Sequence, residues 1–187
     1  MLLSVDDVLP IRPARVLVAG TSGSGKTTLA VRVGQHLDLP HTEIDALFHG
    51  PSWTPRPSFL ADVDAFTRQE HWVTEWQYSD VRDLLADRAN LLLWLDLPRA
   101  QVMRQVIQRT LRRRIRRQVL WNGNVEQSLS TVLHDRDHIV RWAWRTHALS
   151  AQRVAALQER RPDLPVIRLT SHHQSDEWLR RNTTADS

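Results

Sequence analysis

Cysteine is absent from the 187-residue sequence, and lysine and tyrosine occur once each, as Lys26 and Tyr78. Without cysteine there is no disulfide framework, thiolate zinc site, iron–sulfur cluster or cysteine nucleophile. Long hydrophobic runs are missing too. The longest wholly apolar stretch is Leu91 to Leu95, against the ~20 residues a helix needs to span a bilayer. The first ten residues hold Asp6 and Asp7 and lack the basic start, apolar stretch and small-residue cleavage site of a signal peptide, so a cytoplasmic protein with no membrane segment is expected.

The composition is otherwise that of a folded globular chain, with 41% hydrophobic and 25% charged residues. Its length suits one domain over residues 1–187 with a full core. The net charge is +4, and of 25 basic residues all but Lys26 are arginine, 25 − 1 = 24. Arginine is a broad planar fork and lysine a compact ammonium, so a tight phosphate pocket accepts the second and refuses the first. Lys26 fits that case.

Residues 1–14, with Pro10 and Pro13, read as a loose lead-in. Arg15 to Ala19 is a β-rich apolar run ending at Gly20, as a buried parallel strand would. Leu29, Ala30, Val33 and Leu37 recur at helical spacing over 27–37. A second strand is expected at His41 to Ile44, a helix capped by Ser58 and running to about Arg68, and a third strand at His71 to Trp76. A short helix over 81–88 leads to Asn90–Asp96, the clearest strand, apolar throughout and therefore central. A basic helix over 99–117, a loop over 118–126, a long helix from about Asp135 to Arg160, a fifth strand at Pro165 to Leu169 and a helix from Ser175 to Arg181 complete the chain. The alternation implies an α/β fold of three layers, α/β/α, with a five-stranded parallel sheet in the order 2-3-1-4-5, counting these strands along the chain.

Gly20 to Thr27 reads GTSGSGKT, which fits Gly, four residues, then Gly-Lys-Ser/Thr. The glycines let successive N–H groups turn inward on a phosphate, and the following helix adds the positive end of its dipole. A strand before and a helix after are the context that gives the pattern its meaning. Gly20, Ser22, Gly23, Ser24, Gly25, Lys26, Thr27 and Thr28 are therefore the expected nucleotide-binding residues. Lys26 would bridge the β and γ oxygens and Thr27 would ligate Mg²⁺. A carboxylate at the end of a neighbouring strand would hold the magnesium through water. Glu75 is favoured by the expected strand order and Asp96 is the alternative. Of Glu43 and Asp45, which alternate along an extended segment, only one can face the phosphate side. Asp45 is the candidate to orient an acceptor, and a loop-capping aspartate is the bland alternative.

Residues 99–117 carry eight arginines and no acid, with Met103, Ile107, Leu111 and Ile115 on one helical face. Arg136, Arg141 and Arg145 form a second basic set. These side chains either close over a transferring phosphoryl group, as Arg109, Arg113 and Arg145 are placed to do, or lie along a nucleic-acid backbone, or cover apolar surface with their stems. Trp94 and Trp178 read as core, whereas Trp53, Trp76, Trp121, Trp142 and Trp144 are candidates to line an acceptor pocket. His134 and His138 stand at i and i+4, but HDRDH lacks the glutamate of a zinc-protease helix, and no metal is assigned there.

With GTSGSGKTTLA, IDALFHGPSW, HWVTEWQY, LLLWLDLPR, QRTLRRR, LWNGNVE and RWAWRTH in this order, the chain resembles the adenylate-kinase-like P-loop kinases. Within them it is similar to the bacterial branch labelled topology modulation protein or AAA-family ATPase. The resemblance covers most of residues 15–180. It implies ATP and Mg²⁺ at residues 23–28, a helical arginine-rich lid within about 109–126, and an acceptor region around Asp45 to Trp53. Many relatives have Asp-Gly where this chain has Glu75-Trp76, so Trp76 reshapes the space by the acceptor. The expectation is a kinase moving the γ-phosphoryl group of ATP to a small acceptor, a nucleotide or a hydroxyl metabolite. The alternative is an ATP-switched protein of slow hydrolysis that binds nucleic acid or a partner. Base recognition is expected from residues 170–173, and neither ATP against GTP nor the oligomeric state is assigned.

Overall fold

A computed structural model describes residues 1–115 and 139–182, and the side chains of all of these except 111–115 and 139–146. Five strands form one parallel sheet: β1 (Leu2–Leu3), β2 (Arg15–Gly20), β3 (Trp72–Glu75), β4 (Leu91–Leu95) and β5 (Val166–Leu169), in the order β1-β5-β4-β2-β3. Val16 lies opposite Val73 on one side and Leu91 on the other, so β2 is flanked by β3 and β4. Every residue of β4 is buried, as a strand covered on both faces requires.

The helices are α1 (Lys26–Leu37), α2 (Ile44–Phe48), α3 (Phe59–Thr67), α4 (Ser79–Arg88), α5 (Arg99–Ile115), α6 (Ile139–Arg160) and α7 (His172–Asn182). One face of the sheet presents Val16, Val18, Leu93 and Leu95 to Leu29 and Val33 of α1, Val102 and Val106 of α5, and Trp178 of α7. The other presents Leu17, Ala19, Leu92 and Trp94 to Val63 of α3, Leu85 of α4, and Val154 and Leu157 of α6. Each such side chain taken from water contributes about 1.5–3 kcal/mol. The three-layer α/β reading therefore holds, with a five-stranded parallel sheet.

The sheet order differs from the expected one at its edges. The segment His41–Ile44 is not a strand: His41 makes one parallel bridge to Val73, and α2 begins at Ile44. The cause is local. The ladder that Thr42 N–H starts on the Val73 carbonyl (3.0 Å) cannot continue, because the Ile44 N–H is taken by the Glu75 carboxylate (3.1 Å). At the far edge the supposed loose lead-in supplies β1, paired to β5 through Leu2 and Val166. The last helix also starts earlier than Ser175. Ser171 Oγ accepts the Gln174 N–H (3.2 Å) while Gln174 Oε1 accepts the Thr170 N–H (2.7 Å), a reciprocal cap ahead of His172. Residues 116–138, which include most of the expected lid, Trp121, His134, Arg136 and His138, lie outside the described residues, as do the side chains of Arg113, Arg141, Trp142, Trp144 and Arg145.

Candidate functional site

The site is built where β2 ends and α1 begins. Gly20, Gly23 and Gly25 have φ of +153°, +83° and +94°, a turn that side-chain-bearing residues rarely make. Gly25 is the N-cap of α1, and no acidic residue sits in that helix's first turn. The N-terminal dipole is thus left without a counter-charge of its own, which is the condition that favours a bound phosphate. Ser24 is wholly buried in the turn, and its hydroxyl has no hydrogen-bond partner among the described residues. Ser22 and Thr27 are partly exposed and Thr28 is exposed.

Lys26 Nζ donates to the Thr21 carbonyl at 3.3 Å, folding the lysine back over the loop. Burial pulls its pKa down, the charges of Asp45 and Glu75 oppose that, and the charge of Arg109 reinforces it. The structure therefore brings Lys26, Asp45, Glu75 and Arg109 into one electrostatic neighbourhood, from four separate elements. Arg113 and Arg145 belong to α5 and α6, with side chains outside the described residues.

Glu75, at the end of β3, is only 2% exposed. Its Oε1 lies 3.2 Å from His41 Nε2 and its Oε2 accepts the Ile44 N–H at 3.1 Å. Burial pushes this carboxyl up, but the hydrogen bonds from His41 and Ile44 together with the His41 charge outweigh burial and hold it below its ordinary value. An ionised carboxylate has about four lone-pair directions, so each oxygen keeps one for a water or ligand. Asp96, the alternative, is bound twice by Arg168, at 2.8 Å from Nε and 2.6 Å from Nη2.

Asp45, in the first turn of α2, is gripped on one oxygen. Its Oδ1 accepts from Gln77 Nε2 and from the Tyr78 hydroxyl (2.6 Å), and the phenol oxygen lies 3.1 Å from His49 Nε2. Burial and the Asp45 charge both keep the Tyr78 phenol protonated. Tyr78 stacks on Phe48 (4.0 Å, 21°) and meets Phe59 edge to face, while His49 meets Trp53 edge to face. Tyr78 has φ +63°, a conformation costing about 1–3 kcal/mol in a non-glycine residue. The turn after β3 spends that strain to hold a phenol against Asp45. His41, His49 and Tyr78 were not expected as site residues. The one usable signal was position, since the chain's lone tyrosine stands three residues beyond Glu75.

Around the loop, His172 of α7 lies 3.3 Å from where a β-carbon on Gly25 would sit, and its Nε2 is 2.7 Å from Gln105 Nε2 of α5. Two of the helices flanking the phosphate loop thus meet beside it, at the segment expected to serve a base. Trp76 is 7% exposed and packs into the core behind β3, whereas Trp53 is 39% exposed by the aromatic group.

A strand–glycine loop–helix unit in a parallel sheet, with its lysine under the influence of Glu75 at the end of β3 and Asp45 in the first turn of α2, is the architecture of the P-loop kinase fold. Comparison with solved structures agrees. The chain is similar to a gluconokinase from Sinorhizobium meliloti 1021 at TM-score 0.53 and 18% identity, over 91% of this chain and 92% of that one. Weaker likenesses are a sugar kinase from Janibacter sp. HTCC2649 (TM-score 0.48, 20% identity, 90% and 92%) and a shikimate kinase from Bacteroides thetaiotaomicron (0.46, 14%, 90% and 95%). The first likeness shows the fold and nothing narrower, and none of the three carries the adenylate-kinase-like description. No protein-family model matches the chain, and no curated protein matches it. Among the described residues no helix is long and apolar enough to cross a membrane.

Proposed function

We propose that the chain is an ATP-dependent phosphotransferase that moves the γ-phosphoryl group to a hydroxyl of a small acceptor, in the cytoplasm. The observation that carries this is the positive-φ glycine turn of residues 20–25, which leads from β2 into α1 with Lys26 folded back over it onto the Thr21 carbonyl. Phosphoryl transfer asks little covalent chemistry of a protein and depends on positioning and charge neutralisation. In this reading the backbone N–H groups of residues 20–28 cradle the β-phosphate, with the Ser24 hydroxyl as a buried, unpartnered donor among them. Lys26 swings from the Thr21 carbonyl to the phosphate oxygens. Arg109, with Arg113 and Arg145, neutralises the charge that spreads over the transferring group.

The donor set suits Mg²⁺, a hard cation that keeps several waters and takes oxygen ligands. Thr27 would offer its hydroxyl and Glu75 would orient bound water, its carboxylate held still by His41 and Ile44. When bound, the cation neutralises β- and γ-oxygen charge. Asp45 orients the acceptor hydroxyl through Oδ2, which takes no hydrogen bond among the described residues, and receives its proton as the Pγ–O bond to the acceptor forms and the bridging bond to the β-phosphate breaks. Aromatic rings from Phe48, Trp53 and Tyr78 limit the acceptor to a small molecule and exclude water that would otherwise hydrolyse ATP.

The test is ATP turnover with Mg²⁺ across nucleoside monophosphates, nucleosides, sugars and hydroxy acids, for the wild type and Lys26→Ala. A phosphorylated product lost in the variant supports the reading. ATP binding with slow hydrolysis and no product on any acceptor overturns it in favour of a nucleotide-switched binding protein.

A further inference from the structure

Among the tryptophans whose side chains are described, Trp72, Trp76, Trp94 and Trp178 are buried, whereas Trp53 is 39% exposed. An exposed aromatic is ordinary on a protein surface. The backbone beneath this one is not. Ser52 and Trp53 have φ of +56° and +60°, left-handed residues in succession where neither is glycine. The surrounding loop enforces that conformation. The Gly50 N–H donates to the Thr54 carbonyl (2.6 Å), the Thr54 hydroxyl and N–H donate to the Pro51 carbonyl (2.7 and 3.2 Å), and the Arg56 N–H donates to the Phe48 carbonyl (2.8 Å). Residues 48–56 are thus a closed loop whose strained tip holds an indole outside the core.

A short chain of contacts ties this indole to the acceptor carboxylate. Trp53 meets His49 edge to face, with 5.0 Å between ring centroids. His49 Nε2 lies 3.1 Å from the Tyr78 phenol oxygen, and the phenol donates to Asp45 Oδ1 at 2.6 Å. One imidazole and one phenol therefore separate the exposed ring from Asp45. The other rings nearby are engaged with each other. Phe48 lies 5.0 Å from Phe59 and 4.0 Å from Tyr78, and Phe59 lies 5.4 Å from Tyr78, so these three pack as the floor beneath the loop.

The polar groups beside the floor narrow the ligand. Gln77 Nε2 donates to Asp45 Oδ1, which locks amide and carboxylate together. The oxygens they still offer, Gln77 Oε1 and Asp45 Oδ2, are both acceptors, so a ligand must bring a donor to each. The indole face is electron-rich and attracts the positive edge of C–H bonds. A saturated ring with C–H bonds on its face and hydroxyls on its rim meets both demands at once. A nucleobase would stack as well, but in a nucleoside the hydroxyls lie on the ribose rather than on the stacked ring. Here the stacking surface and Asp45 are close enough in the contact chain for one ring to serve both.

We propose that Trp53 determines acceptor specificity, and that the acceptor is a cyclic polyol of the sugar type whose ring lies on the Trp53 indole with neighbouring hydroxyls on Asp45 Oδ2 and Gln77 Oε1. The inference rests on the phosphotransferase reading above and names the class of its acceptor. The transfer step is the one already described, with the hydroxyl on Asp45 as the attacking group.

The test is phosphoryl transfer from ATP with Mg²⁺ by the full chain, followed by phosphorus NMR. One acceptor arm holds D-glucose, D-mannose, D-galactose, D-xylose and myo-inositol, another adenosine and cytidine, and another the open-chain compounds glycerol and D-glycerate. Product forms in the cyclic arm. For that acceptor Trp53→Ala raises KM about tenfold or more and leaves the KM for ATP unchanged, and Trp53→Phe restores most of the loss. Trp53→Gly separates stacking from loop integrity. It relieves the left-handed backbone and so melts above Trp53→Ala, yet shows the same raised KM. Product from the nucleoside or open-chain arm alone, or an unchanged acceptor KM in Trp53→Ala, overturns the proposal. No product in any arm counts against the phosphotransferase reading, and binding then decides the inference by itself. In the indole N–H spectrum of the chain saturated with the non-hydrolysable analogue AMP-PNP and Mg²⁺, the resonance missing from Trp53→Phe is that of Trp53. Its movement on titration with the cyclic compounds, and not with the nucleosides, supports the stacking site, whereas a resonance that stays in place with every cyclic compound overturns it.

Discussion

Val106 Cγ2 lies 2.1 Å from where a β-carbon on Gly23 would sit, so helix α5 rests directly on the phosphate loop. No real contact is that short, and Gly23 also has φ +83°. Gly23→Ala should therefore cost stability twice, by about 1–2 kcal/mol for the left-handed backbone and about 1–3 kcal/mol for overpacking. Adding Val106→Ala to Gly23→Ala should recover the second part and leave the first. Urea unfolding of the two single variants and the double variant measures this, and strictly additive losses would show that the loop shifts away from α5 instead.

Lys26 is enclosed, folded back on the Thr21 carbonyl and acted on by two carboxylates. Removing the ammonium takes away the charge that tracks the transferring group, so Lys26→Ala should lower turnover by about a hundredfold or more. Lys26→Arg should recover little, because a broad guanidinium does not fit a space shaped for a compact ammonium. Steady-state turnover with the identified acceptor checks both. An active Lys26→Arg would mean that the pocket is wider than the enclosure of Lys26 implies.

What the sequence made legible was local. The GTSGSGKT loop, the flanking strand and helix, and the central NLLLWLD strand each carry their own pattern within a dozen residues. Where a long-range contact decides, the reading failed. His41–Ile44 looks extended, but the Glu75 side chain, 31 residues away, captures the Ile44 N–H and turns the chain into α2. Leu2–Leu3 is too short to show a period and becomes a strand only because β5 offers it an edge. The grip on Asp45 was illegible for the same reason, since Gln77 and Tyr78 reach it across 32 and 33 positions. The start of α7 is a different failure. Ser171-His-His-Gln174 is a capping pattern that could have been read directly.

Tyr78 donates to Asp45 at 2.6 Å, and with its only hydrogen committed there, the His49 Nε2–H donates to the phenol oxygen. Tyr78→Phe removes both bonds and keeps the ring on Phe48. A hydrogen bond to a charged group contributes about 1.5–3 kcal/mol, which bounds the loss of stability. The larger effect should fall on acceptor handling, because Asp45 is then held by Gln77 alone. kcat should drop by about tenfold with little change in the KM for ATP. A proportional rise in the KM for ATP would instead place Tyr78 on the nucleotide side of the site.

Glu75 supplies a pH signature of the same framework. Its carboxyl is held below the ordinary value of 4.5, because the hydrogen bonds from His41 and Ile44 and the His41 charge outweigh the upward push of burial. The unfolded chain then binds a proton more readily than the folded one. The stability that Glu75 contributes is accordingly complete well above pH 4.5 and lost as the pH falls from there through the lower folded value. Glu75→Gln should melt lower than the wild type at neutral pH, and the gap should narrow as the solution is acidified across that window. Melting curves of both proteins taken between neutral and acidic pH measure the gap. A constant difference would mean that the ionisation of Glu75 contributes nothing to stability, and that the loss comes from poorer hydrogen bonding of the amide to Ile44 N–H and His41.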